Sequence, residues 1–362
     1  MSTPYDALLL VSFGGPEGPD DVMPFLENVT RGRGIPRERL EEVSHHYQAL
    51  GGVSPINEQN RRLLAALRTE LAARGMDLPV YWGNRNWDPF LGPGLERMHA
   101  DGHRRVLAIA TSAYSSYSGC RQYREDLARA AIETGLVADL VIDKVRHYFD
   151  HPGFVTPFAE GVEAALRQLA DEGIASGATR ILFTTHSIPT SMAAASGPPD
   201  RFDADGAYVA QHRAAIDAVL ARVRSNGIEV PEASLVYQSR SGAPHIPWLE
   251  PDISDALRDA HGEGMTAAVV VPIGFISDHV EVIWDLDNEA RETCDELGVR
   301  MVRVATPGTH PAFVAGLVDL VAERTAGAPA VALSDLGPWP GVCAPGCCAN
   351  PRVDLPAVAG EA

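Results

Sequence analysis

Residues 180–189 read RILFTTHSIP, an unbroken apolar and β-branched run that stops at His186, Ser187 and a proline. A strand with one wet face alternates polar and apolar residues. A run without alternation is a strand buried on both faces, as in a parallel sheet covered by helices on each side. Ala7–Ser12, Val80–Gly83, Val106–Thr111, Leu235–Ser239, Ala268–Ile273 and Met301–Val304 read the same way. Helical patterns lie between them. In Asn57–Arg74, Leu63, Leu67 and Leu71 fall at i, i+4 and i+8, and Gly75 supplies a stop. Strands alternating with helices predict right-handed βαβ units.

The pattern repeats. Leu95–Ala110 runs helix, glycine, strand and then a Ser-rich loop; Leu257–Pro272 runs helix, glycine, strand and then PIGFISDH. LLLVSFGGP near the start resembles RILFTTHSIP. The sequence therefore predicts an α/β protein of two similar Rossmann-like halves with parallel sheets and a cleft between them. The expected divisions are 1–155, 156–325 and an irregular Cys-bearing tail, 326–362. That tail is rich in Pro, Gly and Ala, and on composition alone reads as disordered. Ligands of open α/β sheets sit at the carboxyl ends of the strands, so the loops after these strands are the ones to inspect.

The chain has 362 residues, with 45% hydrophobic and 22% charged, enough to bury a core. Thirty Lys+Arg against 48 Asp+Glu give −18, which excludes a nucleic-acid-binding surface and electrostatic docking on an anionic membrane. No apolar run approaches the ~18 residues of a membrane span, and no basic segment precedes the first one. A cytoplasmic monomer without stable membrane insertion is expected. Five cysteines are too few for a disulfide scaffold. Three of them crowd into Cys343–Cys348, in the manner of a metal or cluster site.

His186 ends a buried strand, where catalytic groups sit, and histidine titrates near neutrality. GFISDHVEVIWDLDNEA (274–290) places Glu281, Asp285 and Glu289 four apart, on one face of a helix. Like charges so spaced repel by a few tenths of a kcal/mol per pair, so a cation or a path for one is the expected compensation. Asp278 and His279 add ligand types. TRGRGIPRER (30–39) is a basic island; Arg31, Arg33, Tyr47 and Ser54 suit ligand carboxylates. Ser54 before Pro55 also reads as a helix N-cap. ATSAYSSYSGCRQYRED (110–126) brings Tyr114, Tyr117, Cys120 and Tyr123 to the same sheet edge, for stacking on a flat ligand or for packing.

With these segments in hand, residues 5–325 resemble the ferrochelatase family. The resemblance is carried by LLLVSFGGP, GGVSP, FTTHSIP, YQSRSG…PWLEPD and PIGFISDHVEVIWDLDNEA. It implies a lyase that inserts Fe(II) into a porphyrin held between two Rossmann-like halves. His186 and Glu281 would handle the metal; Asp285 and Glu289 would lie on its path. Ser54, Tyr123, Arg31 and Tyr47 would contact the porphyrin. A free-base porphyrin must lose two pyrrole protons as the cation enters, so His186 is either the base or a metal ligand. Some members carry Tyr, an iron ligand of the product, where this chain has Phe13. Phe cannot ligate, so the resemblance implies a different axial environment here, with His186 the expected protein ligand if the product iron has one.

The stretch NVTRGRGIPRERLEEVSHHY is short and polar, unlike the apolar membrane lip of animal members. The resemblance is thus to the coproporphyrin ferrochelatase branch of actinobacterial type. Coproporphyrin III is the expected substrate, with protoporphyrin IX as the alternative. Members of this branch often carry a 2Fe–2S cluster on four thiolates. Here the ligands would be Cys343, Cys347, Cys348 and one internal cysteine, Cys120 in preference to Cys294. The competing class is a non-catalytic tetrapyrrole or siderophore carrier, which has no need of a histidine beside a row of carboxylates.

Overall fold

The computed structural model describes residues 5–32, 34–242 and 245–360. It contains two all-parallel, four-stranded sheets. β1 (Ala7–Ser12), β2 (Val80–Asn84), β3 (Arg105–Ala110) and β4 (Val141–Lys144) stand in the order β2-β1-β3-β4. β5 (Thr179–His186), β6 (Glu232–Gln238), β7 (Ala267–Val271) and β8 (Arg300–Arg303) stand in the order β6-β5-β7-β8. The order is identical, so the repeated sequence patterns fall on equivalent strands: β1 with β5, and β3 with β7. β4 escaped the sequence reading because VIDK alternates, with Val141 exposed and Ile142 buried, as an edge strand does.

The apolar runs are continuous because successive side chains enter different cores. From β5, Ile181 and Phe183 join Leu8 and Leu10 of β1 and Val269 of β7. Leu182 points the other way, to Leu257 and Val270. Leu9 and Val11 of β1 meet Leu95 and Leu127 on the outer face of their sheet. Each such residue, fully buried, stabilises the fold by ~1.5–3 kcal/mol. The central core takes residues from both sheets, so the two halves close on one shared interior.

Helices α1 (Val22–Val29), α2 (Arg37–Ala49) and α3 (Ile56–Ala73) connect β1 to β2. α4 (Leu91–Ala100) precedes β3, and α5 (Gln122–Glu133) precedes β4. α6 (Pro152–Asp171) joins the sheets and runs across residues 155 and 156. α7 (Thr190–Ala194) and α8 (Gly206–Ser225) follow β5, and α9 (Ile253–Gly262) follows β6. α10 (Val280–Val282) and α11 (Ala290–Leu297) follow β7. α12 (Pro311–Thr325) returns from β8 to pack on α3 and α6. Among the described residues, no helix is long and apolar enough to cross a membrane.

Two segments are π-helical: π1 (Tyr117–Arg121), before α5, and π2 (Ile283–Glu289), between α10 and α11. Glu281, Asp285 and Glu289 therefore do not ride on one regular α-helix, as their spacing had suggested. The wider i→i+5 turn carries Asp285 and Glu289 instead. Ser54 is not a cap either: Pro55 takes the N-cap position, helix α3 starts at Ile56, and no side chain bonds its first turn.

Residues 326–360 hold no helix and no strand beyond an isolated bridge, yet they are tied down. Leu333 N–H and Ser334 Oγ–H donate to Asp150 at 2.9 and 2.7 Å. Trp339 is buried against Phe149 and Phe202. Arg124 Nε–H donates to the Val358 carbonyl at 2.6 Å. Composition alone had read this stretch as disordered; one tryptophan and a few backbone bonds overrule it.

Candidate active site

β5 delivers His186 on its last residue, and the strand end is fixed by Tyr208. The Tyr208 hydroxyl donates to the His186 carbonyl at 2.8 Å and lies 2.8 Å from Thr185 Oγ1. His186 Nδ1 bonds the Ser187 carbonyl. A carbonyl only accepts, so Nδ1 carries the proton of the neutral ring and Nε2 offers its lone pair. Nε2 faces Glu281 Oε2 at 3.7 Å, with both side chains partly open to solvent. Two acceptors facing each other leave room for a proton, or for a divalent cation bonded at ~2 Å to each.

The loop that brings Glu281 there lies directly on the end of β5. A Cβ on Gly274 would stand 2.1 Å from Thr185 Oγ1, so only glycine permits the approach. The first half holds the same loop: Tyr114 Oη–H donates to the Ile273 carbonyl at 2.9 Å, and Asp278 N–H to Gln59 Oε1 at 2.9 Å. Asp278 and His279, read from sequence as further ligand types, serve this framework. The Asp278 carboxylate pairs with Arg303 at 2.6 Å, and His279 Nδ1 accepts the Val282 N–H to cap α10.

Beyond Glu281, which is exposed, come the half-buried Asp285 and the exposed Glu289. Asp285 accepts hydrogen bonds from Ser239 Oγ and Gln238 Nε2. Burial first, then Glu281 and Glu289 on either side, push its carboxyl up to about 7 against the bonds that favour the ionised form. Asp285 can thus take up and release a proton near neutral pH. Glu289 is exposed and accepts the Trp284 indole N–H at 2.8 Å. Trp284 stacks on His46 of α2, with centroids 4.2 Å apart and planes 7° from parallel, so the row ends beneath a contact between the two halves.

The other expected residues separate into groups. Tyr123 is buried under the Arg85 guanidinium, 4.3 Å from its ring, and Arg85 is paired with Asp126. Arg31 is exposed and shares with Arg85, Asn86 and Asp126 a cavity of about 510 Å³. Ser54 is buried against Gly15, where any added Cβ would meet its own at 2.7 Å. Tyr47 lies among Phe25, Leu40 and Val280; burial, then Glu281, raises its hydroxyl pKa. Phe13 packs at the edge of the same cluster, 6.2 Å from Phe25. Tyr114 stacks on His212 at 3.6 Å, and Tyr117 Oη–H donates to Glu125, so both are held in packing. Arg33 lies outside the described residues.

Cys120, on π1, meets Cys343, Cys347 and Cys348 of the tail in one buried group. The Cys347 and Cys348 sulfurs are 3.9 Å apart, and Cys348 exchanges bonds with Gly197 of the second half. Hydrogen bonds from Cys120 and Cys347 drive Cys343 toward the thiolate, and the same bonds to Cys343 raise the Cys120 and Cys347 thiols. Cys294 belongs to another core, and burial pushes its thiol up to about 11. Among the described residues, no group of three or more His, Cys, Asp or Glu side chains is preset around a metal position; the four sulfurs lie against one another.

Sequence reasoning missed Ser239 and Gln238, which hold Asp285, although both close the predicted strand Leu235–Ser239. It missed the His46–Trp284 stack and the basic residues around the cysteines, for which no spacing signal exists.

Fold and site define a two-lobed α/β protein with an imidazole–carboxylate pair at a strand end and the carboxylates of Asp285 and Glu289 on the turn that follows it. A profile described as Ferrochelatase matches residues 5–325. A relative from Leifsonia xyli subsp. xyli, named coproporphyrin III ferrochelatase, is 57% identical, covering 98% of this chain and 94% of its own. One of the same name from Streptomyces griseus is 57% identical over 99% and 96%, and a ferrochelatase from Rhodopirellula baltica 50% over 99% and 97%. The chain belongs to the ferrochelatase family, whose members are lyases.

Proposed function

We propose that this protein inserts Fe(II) into coproporphyrin III to give coproheme. The observation that carries the reading is the pair His186 Nε2–Glu281 Oε2 at 3.7 Å, backed by Asp285 and Glu289. Fe(II) enters along the carboxylates, which suit a hard divalent cation. His186 Nε2 stands where it can take a pyrrole proton or bind the arriving iron, and Asp285 holds or releases a proton beside it. Ser54, Tyr123, Arg31 and Tyr47 are proposed as porphyrin contacts. The large cavity holds Arg31, Arg85 and Arg129 against Asp126 and Glu133. Arg85 and Arg129 pair with Asp126, and Arg31, which makes no ion pair among the described residues, is the cation left for a ligand carboxylate, which supports the substrate with more propionates. The adjoining helix α2 is polar: Arg37 pairs with Glu27 and Glu41, and Arg39 with Glu42, all exposed. That suits a water-facing mouth and a cytoplasmic enzyme.

Cys120, Cys343, Cys347 and Cys348 are proposed to hold a 2Fe–2S cluster. Four buried sulfurs from two distant segments, one already driven toward the thiolate, fit its ligand set. Bound there, the cluster would supply one-electron redox chemistry and a cross-link between tail and first half.

The test is anaerobic incubation with Fe(II) and either coproporphyrin III or protoporphyrin IX, following metalloporphyrin absorption. Coproporphyrin should win by at least ~10-fold in kcat/KM, since one or two charged hydrogen bonds are worth ~1.5–3 kcal/mol each. Faster turnover of protoporphyrin would reassign the substrate, and binding without turnover would make the protein a carrier.

A further inference from the structure

The mechanism leaves unused two cations beside the cysteines. Lys144 ends β4 and is 7% exposed; among the described residues its ammonium bonds only the Val145 carbonyl, at 3.3 Å. Arg124, on α5, is 4% exposed; Nε–H reaches the Val358 carbonyl, while Nη1 has no partner among the described residues. Neither has a carboxylate partner among the described residues. A buried charge without a counter-charge costs several kcal/mol, so an anion must stand nearby. The groups nearest to them are sulfurs: Lys144 lines one small cavity with Cys120, and Arg124 holds Val358, two residues before Gly360, which is bridged to Cys343. A cavity of about 20 Å³, space for about one water molecule, lies between Cys120 and Lys144. It is also lined by His147, whose buried Nε2 has no partner among the described residues, and by Tyr123.

We propose that Lys144 and Arg124 are the built-in counter-charges of a dianionic tetrathiolate metal centre on Cys120, Cys343, Cys347 and Cys348. Two ferric ions, two sulfides and four thiolates sum to a dianion. Two buried cations balance it, so the oxidised centre and its surroundings are together neutral. The inference rests on the metal centre proposed above, and it deepens that reading by naming positioning residues outside the ligand set. Arg124 has a second part: its guanidinium donates to the Val358 carbonyl and its own carbonyl accepts the Val358 N–H, so charge balance and tail anchoring meet in one residue.

The test uses the full-length protein, purified anaerobically, as wild type, Lys144→Met and Lys144→Arg. Iron, sulfide and zinc are measured, with the rate of metal release to a chelator and the midpoint potential of the centre. Loss of such a neighbour costs ~10–100-fold in metal affinity. Lys144→Met should release metal faster by that factor and shift the potential to more negative values. Lys144→Arg, which keeps the charge, should stay close to wild type. Lys144→Gln repeats the test should the Met variant not fold. Wild-type release from Lys144→Met, or equal loss from Lys144→Arg, overturns the counter-charge. Zinc in place of iron and sulfide, lost faster from Lys144→Met, upholds the counter-charge and overturns the cluster. A wild type that binds neither overturns both.

Discussion

The two halves place a π-helical turn at the same point of the same topology, after β3 in one and after β7 in the other. π1 carries Cys120; π2 carries Asp285 and Glu289. The backbone device is shared and the donor chemistry is opposite. On π2 the donors are oxygens, next to the partly open His186–Glu281 pair, and Glu289 is exposed. On π1 the donor is sulfur, sealed with three others beneath the tail. Hard, open ligands suit a metal that must arrive and leave; soft, buried ones suit a metal that stays.

The sharpest way to break this comparison is to remove the base or ligand on the open side. His186→Ala should lower kcat by ~10²–10⁴-fold while porphyrin binding, read by fluorescence quenching, persists. Retained turnover would move the chemistry away from β5. On the closed side, Cys343→Ser should abolish the visible absorption and the iron and sulfide of the purified protein, whereas Cys294→Ser should keep both. Loss from Cys294→Ser would place the fourth sulfur in the wrong half.

Asp285 offers a finer test. Its carboxyl keeps a proton in the folded state up to about pH 7, against an ordinary value of 3.8 in the unfolded chain. The folded state therefore binds more protons within that window, and stability falls as pH rises through it, by at most ~1.4 kcal/mol per pH unit. Asp285→Asn keeps an acceptor for Ser239 and Gln238 and removes the titration. It should melt higher than wild type at pH 8, and about equally at pH 4. A parallel pH dependence of both proteins would show Asp285 ionised throughout. The smallest effect belongs to His46→Ala, which unstacks Trp284 at a cost of ~0.5–1.5 kcal/mol by denaturant unfolding.

The parallel sheets were legible because Ala7–Ser12 and Ile181–Thr185 have no polar alternation, which only double-sided burial explains. The edge strand β4 was not, because half of it faces water. His186 and Glu281 could be read from strand-end position and charge spacing. The π turns could not: spacing by four is the signature of an α-helix, and nothing in the residue pattern from Ile283 to Glu289 sets the wider turn apart. Asp278 looked like a ligand because its partner, Arg303, lies on another strand, and a sequence does not show that ion pair. Lys144 was invisible for the same reason, since its buried neighbours come from π1 and from the tail.

The division of labour between the two π turns has one direct measurement. Protein grown on natural iron is given Fe(II) of a Mössbauer-active isotope with coproporphyrin III, anaerobically, through several turnovers. The label should appear in the porphyrin alone, with the cysteine-bound iron unlabelled and its amount unchanged. Label in the cysteine site, or natural iron in the product, would contradict a closed sulfur site that holds its metal while the His186–Glu281 side passes it on.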